Sequence, residues 1–207
     1  MKSLKLLNSL IKINSIKINL EKPFNWASGW KSPIYFDNRI SLSYPEIRSE
    51  ITERLIGIIN ENYKDVDSIA GVATAGIPQG ALVSNELKLP FSYVRSKPKS
   101  HGMKNLIEGR LEKNKNVVLI EDLISTGGSS IKAVESIREA GSNVLAVLSI
   151  FNYGFNVSVE NFNNIKCNAE SVFYYSDLLE VALANNYISE KELVKLKSWR
   201  ENPGEWK

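Results

Sequence analysis

The sequence predicts an α/β domain built on a parallel sheet with helices on both faces, and three observations carry the prediction. Apolar runs of strand length at Ser68–Ala73, Phe91–Val94, Val117–Ile120 and Asn143–Phe151 alternate with segments of helical periodicity. The runs at Val117 and Asn143 are nearly continuous rather than alternating with polar residues, as strands buried on both faces require. Finally, 207 residues at 43% hydrophobic and 24% charged are enough for one substantial core.

The elements follow in order. Leu4, Leu7, Leu10 and Ile11 suggest a short amphipathic helix at the start. A second helix is expected from about Tyr44 to Tyr63, with Ser43 and Glu46 as a capping box and Ile47, Ile51, Leu55 and Ile58 as its buried stripe. The strand at Ser68 leads through a turn at Gly76 into a helix from Pro78 to about Leu87. After the strands at Phe91 and Val117, a further helix shows Ile131, Val134 and Ile137 at helical spacing and stops at Gly141, a favoured residue just past a helix end. Asn143–Phe151 closes the alternation. Two tail helices are expected, one near Ser176 and one at Ser189, where Glu192 completes a capping box.

Composition excludes several classes. A net charge of +3 argues against a dedicated nucleic-acid binder. The lone Cys167 leaves no intramolecular disulfide and no cysteine-based zinc cluster, and suits packing better than catalysis. No apolar run reaches the length of a membrane span. The lysine- and asparagine-rich N-terminus lacks the continuous apolar core of a signal peptide, so a cytoplasmic location is expected.

Chemistry concentrates in Val117–Ser130, VVLIEDLISTGGSS. Its strand is expected to end in Glu121 and Asp122, and the turn from Ser125 to Gly128 to enter the next helix. Carboxylates at a strand tip can accept hydrogen bonds from sugar hydroxyls, while a small-residue turn at a helix N-terminus offers free N–H groups to a phosphate. A ribose phosphate satisfies both halves. Neither a Walker A loop nor a GxGxxG turn fits, because no Gly-Lys-Ser/Thr closes the turn and the acids precede the glycines.

This pattern resembles the signature for 5-phosphoribosyl-1-diphosphate (PRPP) in type I phosphoribosyltransferases. Two more segments resemble the orotate branch of that family. Arg95–Gly109, RSKPKSHGMKNLIEG, matches its mobile cationic loop, and Ser28–Tyr35, SGWKSPIY, matches its N-terminal hood. The turn GVATAGIPQG at Gly71–Gly80 looks like the family's diphosphate loop, with Thr74, Ala75 and Gly76 at its centre and Gly76 permitting an unusual backbone.

The resemblance implies a type I phosphoribosyltransferase-like parallel sheet flanked by helices, one domain over residues 1–207 with a hood at about 1–42, a core at about 43–155 and C-terminal helices at about 156–207. It implies transfer of the 5-phosphoribosyl group from PRPP to orotate. Arg95, Lys99 and His101 would act at the diphosphate, and Glu121 and Asp122 would hold the ribose hydroxyls. Leu123, Ile124, Ser125, Thr126, Gly127, Gly128 and Ser129 would complete the PRPP site. Ser125, Lys31, Tyr35 and Phe36 would face orotate. Mg²⁺ would arrive with PRPP rather than on dedicated protein ligands. The partners implied are the two small-molecule substrates and a second copy of the chain sharing active sites, with no nucleic acid and no membrane.

The chain departs from the branch at several positions. It has Ala27 and Ala75 where members carry lysines, Asn152 where some carry an arginine, and Ser96 directly after Arg95 with Lys97 one position later. A purine phosphoribosyltransferase would keep the PRPP motif with another base pocket, and a PRPP-sensing regulator would keep it without catalysis.

Overall fold

The computed structural model describes residues 4–26, 29–97 and 106–206. Two compact units divide the chain, one made of Arg48–Val172 and the other of the segments before and after it. The leading segment holds α1 (Lys5–Lys12), β1 (Ile16–Ile18), β2 (Phe24–Asn25), β3 (Lys31–Ser32), β4 (Ile34–Phe36) and a 3₁₀ helix at Asn38–Ser43. α1 buries Leu6, Leu7 and Leu10, so Leu6 takes the inward place expected of Ile11. β1 and β4 pair antiparallel, as do β2 and β3.

Helix α2 (Pro45–Asn62) begins one residue later than the sequence suggested. Ser43 is spent in the 3₁₀ helix, and Pro45 takes the first helical position, where its missing N–H costs nothing. The buried stripe runs Ile51, Leu55 and Ile59 with Thr52 beside it, so Ile59 replaces the expected Ile58.

The Arg48–Val172 unit continues with β5 (Ser68–Val72), α3 (Gly76–Leu87), β6 (Phe91–Val94), β7 (Ile107–Glu108), β8 (Asn116–Ile124), α4 (Gly128–Glu139), β9 (Asn143–Asn152), α5 (Asn156–Asn164) and β10 (Asn168–Tyr174). The six strands form one sheet in the order β10-β9-β8-β5-β6-β7. β9, β8, β5 and β6 run parallel, and β7 is antiparallel to β6. α3 packs on β5 and β8, and α4 on β8 and β9. Every residue of β5 is buried, and Val117, Val118, Leu119 and Ile120 of β8 are fully so. That double-sided burial makes the sheet's centre rigid, since emptying one such position, as in Leu119→Ala, costs about 2–5 kcal/mol.

Two findings correct the expected layout. The strand at Val117 does not stop at the acids, because its ladder with β9 continues through Glu121↔Ser149 and Leu123↔Phe151 to Ile124↔Asn152. Glu121 and Asp122 therefore lie inside β8, and its tip is Ile124. The sheet also does not close at Phe151: α5 and the edge strand β10 follow. After Val172 the chain adds α6 (Tyr175–Ala184) and α7 (Glu190–Glu201). The α7 start is as the sequence suggested, with Ser189 and Glu192 exchanging capping hydrogen bonds.

Candidate active site

The carboxyl ends of β5, β6 and β8 lie side by side in the parallel part of the sheet, where α/β folds bind ligands. β5 runs into α3 through Ala73 and Thr74, whose shared peptide is cis. Ala73 N–H donates to the Val94 carbonyl at 2.9 Å, tying this turn to the end of β6. Gly76 opens α3. Its backbone is not left-handed, contrary to the expectation of an unusual conformation; what it supplies is closeness, because a Cβ there would overlap the Ile120 carbonyl of β8.

Glu121 and Asp122 are not equivalent. Glu121 is 5% exposed, and its Oε2 accepts hydrogen bonds from the Ser129 and Ser130 hydroxyls at 3.1 and 3.2 Å. Its Oε1 accepts from the Asp122 N–H at 3.1 Å. Burial pushes the Glu121 carboxyl well above the usual carboxylate range, and the charge of Asp122 and a hydrogen bond with its side chain push the same way. Asp122 is half-buried. The pair thus joins a buried carboxyl that organises the start of α4 to a neighbour nearer solvent. Ser130, which sequence reasoning passed over, belongs to this cluster.

Between β8 and α4 the chain turns through Ser125 and Thr126, both half-buried, to Gly127, which is left-handed at φ 83° and ψ 0°. Among the described residues no side chain caps the start of α4, whose N-cap is Gly127 itself. Asn161 of α5 donates its Nδ2–H to the Thr126 carbonyl at 3.1 Å. Nothing in the sequence near Asn161 signalled that contact.

Arg95 follows β6. Its N–H donates to the Leu106 carbonyl at 2.8 Å, and its guanidinium meets Glu108 at 3.2 Å. With Tyr93↔Glu108 and Val94↔Ile107 paired, the base of the expected cationic loop is a β-hairpin, a feature the sequence reading lacked. Lys99, His101 and Lys104 lie outside the described residues. Arg95, Ser96, Ala73, Ser129 and Lys132 share the lining of a cavity of about 400 Å³ beside the strand ends, large enough for a small ligand.

In the other unit, the β2–β3 hairpin carries part of the hood motif; Ala27 and Ser28 lie outside the described residues. Trp26 N–H donates to the Trp30 carbonyl at 2.9 Å, and Gly29 sits at φ 86°. Lys31 and Tyr35 are exposed, whereas Phe36 is 7% exposed in register with Ile16. Trp26 meets Trp199 of α7 edge-on at 5.9 Å, and the buried Trp199 donates Nε1–H to the Lys31 carbonyl at 2.9 Å.

Paired acids in a central parallel strand, then a small-residue turn into a helix, define a phosphoribosyl transferase domain, and residues 43–167 match that family. The chain is 50% identical over 199 residues to an orotate phosphoribosyltransferase of Cytophaga hutchinsonii, covering 96% of this chain and 95% of the relative. An orotate phosphoribosyltransferase of Phocaeicola vulgatus is 51% identical over 197 residues, 95% and 93% of the two chains. Among solved structures, orotate phosphoribosyltransferase of Aeropyrum pernix superimposes with a TM-score of 0.77 at 27% identity, over 89% of this chain and 99% of that one. UMP synthase of Leishmania donovani gives 0.82 at 28% identity over all of this chain, which spans 43% of that longer protein. This chain belongs to the orotate phosphoribosyltransferase family.

Proposed function

We propose that this protein transfers the 5-phosphoribosyl group of PRPP to orotate, giving orotidine 5′-monophosphate and diphosphate in pyrimidine nucleotide synthesis. The observation that carries the reading is the near-full-length identity of about half to orotate phosphoribosyltransferases. N1 of orotate forms the new bond to the anomeric carbon as the bond to diphosphate breaks, with inversion; the electron pair leaves on diphosphate, and the N1 proton passes to the departing diphosphate or to solvent. Positioning of the two reactants and stabilisation of the departing diphosphate supply most of the rate enhancement.

In this reading Asp122 and Glu121 hold the ribose hydroxyls, and the turn Ser125–Ser129 holds the 5′-phosphate. Thr74, Ala75 and Gly76 face the diphosphate. Arg95, Lys99 and His101 add cationic groups over it, and Ser125, Lys31, Tyr35 and Phe36 recognise the base. The buried Phe36 serves as an apolar wall rather than a polar contact. The half-buried Asp122 suits Mg²⁺ carried on PRPP, since that ion takes one or two carboxylates with phosphate and water oxygens, whereas the buried Glu121 already accepts from Ser129 and Ser130. When bound, the ion would offset charge on the departing diphosphate.

The direct test follows orotate absorbance with Mg-PRPP against uracil, adenine and hypoxanthine. Orotate consumption should exceed the others by orders of magnitude, because a site built for a carboxylate leaves its partners unpaired around uracil. Equal turnover of uracil would sink the reading. The enzyme is further proposed to act in the cytoplasm as a homodimer, each loop reaching its partner's PRPP. Lys99→Ala and Asp122→Asn homodimers should each be nearly inactive and regain activity when mixed and allowed to exchange subunits. No recovery after confirmed exchange would reject the shared site.

A further inference from the structure

The turn at Ser125–Ser129 must present backbone N–H groups in a fixed direction to hold a phosphate, and α5 supplies the means. Asn161 grips the Thr126 carbonyl at 3.1 Å. One residue on, Phe162 is 4% exposed, and its ring edge lies 2.9 Å from where a Cβ on Gly127 would stand. In a trans peptide the carbonyl of one residue and the N–H of the next lie in one plane and point in opposite directions. The peptide joining Thr126 to Gly127 is trans. Drawing the Thr126 carbonyl toward α5 therefore aims the Gly127 N–H away from α5. The left-handed Gly127 then leads into the uncapped N–H groups of α4, the sequence of amides that forms an anion-binding concavity.

We infer that Asn161 is a positioning residue for PRPP, acting through the Thr126–Gly127 peptide rather than by touching substrate. The inference rests on the reading of Ser125–Ser129 as the 5′-phosphate site. Phe162 fills the space behind Gly127, and Asn161 sets the rotation of the peptide plane. Its effect belongs to one substrate only.

The experiment compares full-length wild type with Asn161→Ala, Asn161→Asp and Asn161→Gln. It measures kcat, KM for PRPP, KM for orotate, and competitive inhibition by inorganic phosphate against PRPP. Losing one hydrogen bond to the turn should raise KM for PRPP about three- to tenfold in Asn161→Ala. Asn161→Asp should raise it further, since a carboxylate repels the Thr126 carbonyl and adds negative charge behind the phosphate. Asn161→Gln should recover part of the loss. Inhibition by phosphate should weaken in step, while KM for orotate stays close to wild type. Unchanged KM for PRPP in Asn161→Ala and Asn161→Asp would overturn the inference, as would a parallel rise for both substrates. Should Asn161→Ala fail to fold, the near-isosteric Asn161→Asp decides alone. A Gly128→Pro variant, which removes one backbone N–H of the turn at a first helical position where proline is tolerated, separates the two levels. If it leaves PRPP and phosphate untouched, the turn is not the phosphate site and both readings fall. If it weakens them while the Asn161 variants do not, only the role of Asn161 falls.

Discussion

The carboxyl ends of β5 and β8 and the β2–β3 hairpin carry the proposed site residues by opposite means. In the first, largely buried strands fix the backbone, and the β8–β9 ladder reaches through the proposed positions: Glu121 is paired with Ser149 and Ile124 with Asn152. In the second, two residue pairs form the ladder among the described residues. There the hairpin is fixed by side chains from far along the chain, above all Trp199, 168 residues from the Lys31 carbonyl it holds. Main-chain ladders tolerate side-chain change and resist any loss of backbone closeness. Side-chain clamps behave the other way.

The largest effect should come from challenging that closeness. Gly76→Ala forces a methyl group into the Ile120 carbonyl, a backbone atom in the centre of the sheet that cannot swing aside. The cost should reach about 3 kcal/mol, at the upper end for overpacking, and appear as a lowered denaturant midpoint or as insoluble protein. Gly29→Ala in the hairpin meets nothing within 4 Å and should cost only the left-handed strain of about 1–2 kcal/mol. Equal losses at the two glycines would break the comparison.

A second test lies within the strand-end region and concerns charge. Burial raises the folded-state pKa of Glu121 above its ordinary value near 4.5. Between those two values the native state holds a proton that the unfolded chain has released, so stability falls as pH rises through that window, by at most about 1.4 kcal/mol per pH unit. Below the window the carboxyl is protonated in both states and the penalty vanishes. Glu121→Gln removes the titration. Melts of the ligand-free protein across the window should show a shallower decline for the variant than for wild type. Parallel curves would mean that the Glu121 carboxyl titrates normally in the fold.

Legibility in the sequence divides along the same line. β6, the α7 cap at Ser189 and Glu192, and the turn that carries the PRPP motif were readable because strand runs, capping boxes and small-residue turns are signals written within a few residues. The true end of β8 was not, since Leu123 and Ile124, beyond the acids, are strand only because β9 pairs with them. α5 was hidden by an asparagine-rich sequence, NVSVENFNN, with low intrinsic helix preference. The partners of the site residues were least legible of all. Ser130 lies nine residues beyond Glu121, Asn161 lies 35 beyond Thr126, and no periodicity joins them.

The smallest effect sharpens the comparison most. Trp199→Phe keeps an aromatic ring for Trp26 and Tyr175, which meet Trp199 at 5.9 and 5.7 Å, but removes the N–H that holds the Lys31 carbonyl. A single hydrogen bond contributes about 0.5–1.5 kcal/mol net, so the fold should survive with a slightly lower melting temperature. The hairpin should open more often, and Lys31, an exposed residue in a two-residue strand, should become a faster site of tryptic cleavage. If the strand ends hold PRPP and Lys31 serves the base, as proposed, KM for PRPP should stay where it was while KM for orotate rises. Unaltered cleavage at Lys31 would show that the aromatic contacts alone fix the hairpin. A rise in KM for PRPP matching that for orotate would show that the strand ends depend on Trp199 as much as the hairpin does.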